Sequence, residues 1–136
     1  MKKQGVAQLK KKADKYFSLA TRYRFAENMN GEWVANCVTC GTQKPIKQLQ
    51  CGHFVSRRFN ITRYDELNTA PQCYGCNVMQ QGEQYKFSRF IDDYYGEGTA
   101  DELMQKRHTS HKLTISELEQ IISDAKEYIK HYESLT

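Results

Sequence analysis

Apolar positions recur at helical spacing near both ends of the chain and thin out in the middle. Leu9, Ala13, Tyr16, Phe17, Ala20 and Arg24 follow the three-and-four rule, while Lys10, Lys11, Lys12, Lys15 and Arg22 fall mostly off that stripe. This predicts an amphipathic helix over residues 6–29, ended by Asn30-Gly31. A short apolar segment follows at Trp33-Val34-Ala35. Leu49, Cys51 and Phe54, set among polar residues over 46–55, predict a short hairpin with His53 on or near its second strand. Residues 56–67 are polar and Arg-rich and read as a loop at the edge of a site. A first helical turn is expected from Asn77, with Gly82 interrupting it. A stronger helix over 83–95 then carries Phe87, Phe90, Ile91 and Tyr94 on one face, a pattern that reads as core.

Gly96-Glu97-Gly98 breaks the chain, and two capping boxes follow, Thr99-Ala-Asp-Glu102 and Thr114-Ile-Ser-Glu117. The second opens a long helix whose buried stripe is Leu118, Ile121, Ile122, Ala125, Ile129 and Tyr132. The pattern therefore predicts an α+β, mostly helical domain spanning residues 1–136. A basic N-terminal helix (1–30) precedes a small central core (31–95), and a C-terminal helical pair (96–136) covers it.

A chain of 136 residues can bury a modest core. It has no stretch near eighteen consecutive apolar residues and no apolar run behind its N-terminal lysines. No membrane partner and a cytoplasmic location are expected, in the host cell if the chain is phage-encoded. Charge changes the picture more. Residues 1–24 hold eight Lys or Arg against one Asp, residues 25–91 seven basic against five acidic, and residues 92–136 five basic against ten acidic. A nucleic acid met from one side explains such a gradient, and so does a solvated, solubilising helix face.

The cysteines carry the first chemistry. Cys37-Val-Thr-Cys40 and Cys73-Tyr-Gly-Cys76 are two Cys-x-x-Cys pairs, the spacing that lets short loops turn two thiolates each onto one tetrahedral Zn2+. With four thiolates the ion has no open position and is structural. Cys51 reads as a small buried residue ahead of a ligand. Thirty-two residues separate Cys40 from Cys73, more than a zinc ribbon needs, and they hold His53 and Asn68. An imidazole near neutral pKa takes a proton from water when its tautomer is fixed, although a single His also packs as a structural residue. Asn77 offers a carbonyl oxygen to a hard cation such as Mg2+. Arg57, Arg58 and Arg63 could hold phosphates bidentately or pair with Asp65 and Glu66.

Gly52-His53-Phe54, Asn68 fifteen residues after His53, and Cys76-Asn77 nine after Asn68 resemble the HNH (ββα-metal) endonuclease motif. Cys37-Val-Thr-Cys-Gly, Arg63-Tyr-Asp-Glu-Leu-Asn68, Gln72-Cys-Tyr-Gly-Cys-Asn77, Gly82 and His111-Lys-Leu-Thr-Ile are similar to the phage NinG/Rap recombination endonucleases over roughly residues 33–132. That resemblance implies a ββα-metal core pinned by the zinc, and a structure-specific nuclease acting on branched DNA such as D-loops and Holliday junctions. By position it implies His53 as general base, Asn68 as its positioning partner and Asn77 as ligand of a catalytic Mg2+ or Mn2+. DNA contacts are expected from Lys10, Lys11, Lys12, Lys15, Arg57, Arg58 and Arg63, and symmetric nicking would suit a homodimer. The chain departs from the motif at Gly52, where many HNH enzymes have a second metal ligand. More water on the ion, or Asp65, Glu66, Glu83 or the His108/His111 pair, could replace it. A zinc-stabilised, non-catalytic DNA-binding accessory protein is the competing reading, and an RNA-directed nuclease stays open.

Overall fold

The computed structural model describes residues 5–135. Helix α1 spans Val6–Arg24 and buries Leu9, Ala13 and Ala20 as the stripe requires. It stops five residues before the expected end, because Asn30-Gly31 is a hairpin turn and not a helix cap. Asn30 and Gly31 take φ of 57° and 89°, the two successive positive values that a tight two-residue turn demands. That turn joins β1 (Glu27–Met29) to β2 (Glu32–Asn36), with Glu27 opposite Val34. All three residues of β1 are exposed, so no alternation marked it as a strand.

The expected hairpin over 46–55 does not form. Strand β3 (Gln43–Pro45) pairs back onto β2, a 3-10 turn covers Ile46–Gln48, and β4 (Gln50–His53) pairs antiparallel with β5 (Thr69–Gln72). Cys51 faces Pro71 and His53 faces Thr69 in that register. His53 thus lies at the end of the first strand of its pair, and the partner strand comes from beyond the Arg-rich segment. That segment is partly helical. It contains α2 (Asn60–Arg63) and a 3-10 turn at Glu66–Asn68, which Asp65 caps by accepting from Leu67 N–H at 2.9 Å.

After β5 the chain makes one π-helical turn, Gly75–Met79, starting two residues before the expected helix at Asn77. Gln81, Gly82 and Glu83 then all have positive φ, which breaks the path before α3 (Gln84–Tyr95). Helix α4 is Thr99–Lys106 and α5 is Ile115–Glu133. The second capping box is half realised: the Thr114 hydroxyl accepts from Glu117 N–H at 3.1 Å, while the Glu117 carboxylate turns to His111 at 2.8 Å. The first is absent. Gly98 occupies the cap position of α4, and the Asp92 carboxylate of α3 accepts from Ala100 N–H at 2.9 Å.

The two C-terminal helices do not form a pair. Helix α4 packs on α3, with Phe87, Ile91, Ala100 and Leu103 buried together against Phe54 and Ala70 of the β4–β5 region. Helix α5 packs along α1, burying Leu118 and Ile122 against Leu9 and Ala13, and Ala125 and Ile129 against Ala20 and Tyr23. The β4–β5 region meets both layers, α1 along its strands and α3 and α4 through Phe54 and Ala70. A fully buried Leu or Ile contributes roughly 1.5–3 kcal/mol, so each layer is a substantial anchor for that region. Among the described residues no helix is long and apolar enough to cross a membrane.

Candidate functional site

Four sulfurs meet at the ends of the two sheets. The Sγ atoms of Cys37, Cys40, Cys73 and Cys76 all lie within 4.8 Å of one another, and those of Cys40 and Cys73 are 3.7 Å apart. Zn–S bonds of about 2.3 Å in a tetrahedron put sulfurs about 3.8 Å apart, so the residues fit the ion. Gly41, at φ 81°, donates to the Cys37 carbonyl at 2.8 Å and closes the first knuckle, while Cys76 N–H points at Cys73 Sγ at 3.4 Å. Val38 N–H donates to the Pro71 carbonyl at 3.0 Å and ties that knuckle to β5. Cys51 stands apart from this cluster, beside Thr21 and Arg22 of α1, where burial pushes its thiol up to about 11.

Beside the cluster opens a cleft of about 990 Å3 whose walls include His53 of β4, Asn77 of the π-turn and Asp14 of α1. His53 Nε2 lies 3.0 Å from the Arg63 carbonyl oxygen. A carbonyl can only accept, so Nε2 carries the hydrogen and Nδ1 keeps the lone pair. Burial lowers the imidazole from its ordinary 6.5 to about 4, with the Arg57 charge adding to the shift and the Arg63 carbonyl and Asp14 opposing it. The ring is therefore a neutral base of defined tautomer at physiological pH.

The Arg63 carbonyl is itself held in place. Arg63 Nε and Nη2 donate to the two Asp14 carboxylate oxygens at 3.0 and 2.5 Å, Nη1 donates to the Arg57 carbonyl at 2.8 Å, and Tyr64 O–H donates to Asp14 at 2.8 Å. A carboxylate on α1 thus orients a loop whose backbone orients the imidazole. In place of the expected alternatives, a phosphate or Asp65 and Glu66, the Arg63 guanidinium meets Asp14 and the Arg57 carbonyl.

Asn68 is fully buried and does not reach the cleft. Its Oδ1 accepts from Val55 N–H at 2.7 Å, and Nδ2 donates to the Val55 and Thr62 carbonyls at 3.0 and 3.1 Å. It clasps the loop two residues after His53 to the residue before Arg63. Asn68 therefore acts on the segments flanking His53 and Arg63 through their backbone, with no hydrogen bond to the imidazole itself. Asn77 lines the cleft and gives its amide hydrogen to Gln50 Oε1 at 2.7 Å, which leaves its carbonyl oxygen as the atom a hard cation would take.

Gly52 has a packing reason. A Cβ there would lie 2.0 Å from Gln72 Oε1 and 2.6 Å from its Cδ. Gln72 is fully buried, its Nε2 donating to Thr39 Oγ1 at 3.1 Å and to the Gly82 carbonyl at 2.9 Å, so it bridges the first zinc knuckle to the turn after the second. None of the expected substitutes for a ligand at position 52 is among the residues lining the cleft. Asp65 caps a turn and meets Lys106, Glu66 meets Arg24 at 3.9 Å, Glu83 meets Lys86, and His111 pairs with Glu117 while His108 is exposed.

Of the cationic residues expected to meet DNA, Arg57 lines the cleft. Arg58 lies over the Phe59 ring, Lys10 reaches Asn60 at 3.4 Å, and Lys11, Lys12 and Lys15 surround a shallow depression elsewhere on α1. Arg22, Lys47 and Arg107 line the cleft as well and were missed. They come from α1, the 3-10 turn and the end of α4, and no local motif links them. Arg22 was legible only as a charge off the helix stripe; its Nη1 donates to the Ile46 carbonyl at 2.7 Å, and burial lowers its pKa.

A family model described as the Bacteriophage Lambda NinG protein matches residues 2–134. No curated protein and no solved structure matches the chain.

Proposed function

The chain belongs to the bacteriophage lambda NinG family, and from that premise we propose that it is a divalent-cation-dependent endonuclease of the HNH (ββα-metal) type, cutting branched DNA during phage recombination. One observation carries the reading: a neutral imidazole of fixed tautomer sits in a basic cleft that also holds Asn77, and a four-sulfur cluster anchors that cleft's wall.

A phosphodiester enters between Arg22, Lys47, Arg57 and Arg107, whose positive charge draws in the backbone. His53 Nδ1 takes a proton from a water as its oxygen bonds to phosphorus, and the bond to the 3′ oxygen breaks; that oxygen takes a proton from solvent, giving a 5′-phosphate and a 3′-hydroxyl. Asn77 would hold Mg2+ or Mn2+ through its carboxamide oxygen, with water filling most of the coordination sphere, as suits Mg2+. Such a cation, when bound, supplies charge stabilisation to the leaving 3′ oxygen. Asn68 and Asp14 keep the His53 loop in register. Lys11, Lys12 and Lys15 extend the positive surface beyond the cleft to meet a further DNA arm.

The test is nicking of labelled branched and linear DNA with Mg2+ or Mn2+, by the natural protein and by His53→Ala. Cleavage of branched DNA by the first, falling at least about a hundredfold in the second, is the expected outcome. Binding without nicking would instead favour the non-catalytic accessory protein, which Gly52 supports. Nicking that survives the substitution would remove His53 from the chemistry. Ribonucleotide branches in the same assay separate DNA from RNA substrates.

A further inference from the structure

The π-turn that carries Asn77 has an outer face of a different character from the cleft. Tyr74, Val78 and Met79 are 56, 47 and 67% exposed, although each is a large apolar side chain. Tyr74 is already helical in its backbone, so Val78 and Met79 follow it by about one π-turn and share its side, while Cys76 is buried on the inner side. Exposed to this degree, they add little to the core. They nonetheless stand on a firm base, between the zinc-ligand candidates and the Gly82 N–H bond of 2.8 Å to the Cys76 carbonyl. Val78 lines the same cleft as Asn77, Arg22 and Lys47, so the apolar face continues directly from the basic one.

We propose that Tyr74, Val78 and Met79 form a contact for unpaired or unstacked nucleobases at a DNA branch point. The inference rests on the branched-DNA part of the proposed function and adds the residues that read the branch. A continuous duplex offers phosphates to the cations, but its base faces are closed against one another. At a branch those faces are open and no stacking need be broken to reach them. Apolar wedges and aromatic rings meet such faces with little regard to sequence. The cations bring either kind of DNA to the cleft by charge, and the apolar face then favours the branched one. A second copy of this chain is the rival occupant, but the adjoining cations match a polyanion better than an identical, equally basic surface.

The test uses the full-length His53→Ala protein, so that binding is read without cleavage. Fluorescence anisotropy compares a labelled three-way junction with a linear duplex of equal length at one salt concentration. Changing Tyr74, Val78 and Met79 together to Ser is expected to weaken junction binding about tenfold or more while duplex binding stays within about twofold, since one stacked base accounts for that much affinity. Zinc content and the thermal melt confirm that the variant is folded, and Met79→Ser alone, at the most exposed position, provides a milder version. Equal losses on both DNAs, or no loss on either, overturn the proposal. So does a dimer in sedimentation that the substitutions dissolve while junction preference is unchanged. If the natural protein prefers junctions through these residues yet nicks nothing, the nuclease reading fails and this one stands.

Discussion

His53 Nε2 holds the Arg63 carbonyl at 3.0 Å, and the consequences of that bond reach the stability of the molecule as well as its chemistry. Burial lowers the imidazole to about 4 from 6.5. Above pH 6.5 it is neutral in both folded and unfolded chains and adds no pH dependence. Between pH 6.5 and 4 the unfolded chain takes a proton that the folded one refuses, so stability falls as pH falls, by about 3 kcal/mol across the window. Urea unfolding from pH 7 to 4 should show this loss, and His53→Gln should remove that share of it; an identical slope in the variant would mean that the imidazole titrates normally. Asp14 is the other residue whose role is local but indirect. Asp14→Asn weakens the hold on Arg63 and the 4.0 Å ion pair with Arg57, so the imidazole shifts while Arg22, Lys47 and Arg107 stay. A fall of roughly tenfold to a hundredfold in kcat, with KM within about twofold, is expected from such a misplacement. A change confined to KM would give Asp14 a binding role instead.

At the scale of elements, the four sulfurs do what a larger core would otherwise do. Cys37 and Cys40 follow β2, Cys73 and Cys76 follow β5, and one ion would join both sheets to the π-turn. Structural zinc contributes about 10–16 kcal/mol in small zinc peptides, comparable to the whole stability of a domain. Stripping the metal with a strong chelator, or Cys40→Ser, should lower the melting temperature by more than about 10 °C. Amide exchange should rise first over residues 37–41 and 73–82. A melt that ignores the chelator would show that no structural ion is held there. The α1–α5 layer carries a different burden. It bears Asp14 and Arg22 into the cleft, so the N-terminal helix is a wall of the site more than an appended arm.

Across the whole molecule, positive charge gathers on a cleft built from α1, a 3-10 turn, the β4–α2 loop and the end of α4. Removing Lys47, Arg57 and Arg107 together should reduce the slope of log K against log salt by about 2 to 3, at roughly 0.9 per phosphate contact. The same change at Lys10, Lys11, Lys12 and Lys15 should flatten it further on branched substrates whose arms extend past the cleft. If the α1 variant leaves the slope unchanged, that helix faces away from DNA.

The sequence by itself determined the elements whose signals are local. The α1 and α5 stripes, the α3 face and the Cys-x-x-Cys pairs are written in spacings of a few residues, and each is present except that Tyr94, expected in the core face of α3, is 60% exposed. His53 and Asn77 could be singled out through the resemblance to the HNH motif, and both line one cleft. Tertiary structure alone decided what depends on distant partners. Strand β1 exists only because β2 lies beside it, so three exposed residues gave no periodic hint. The pairing of β4 with β5 crosses the Arg-rich segment, and β3 turned out to belong to β2. Arg63 lost its expected freedom to Asp14, forty-nine residues away, while Arg22, Lys47 and Arg107 were gathered from three separate elements. Gly52 offers no ligand, and its local reason is tertiary, because Gln72 fills the space that a side chain there would need. Short-range periodicity records which side of an element is buried; it cannot record what packs there, because that energy belongs to pairs of residues far apart in the chain.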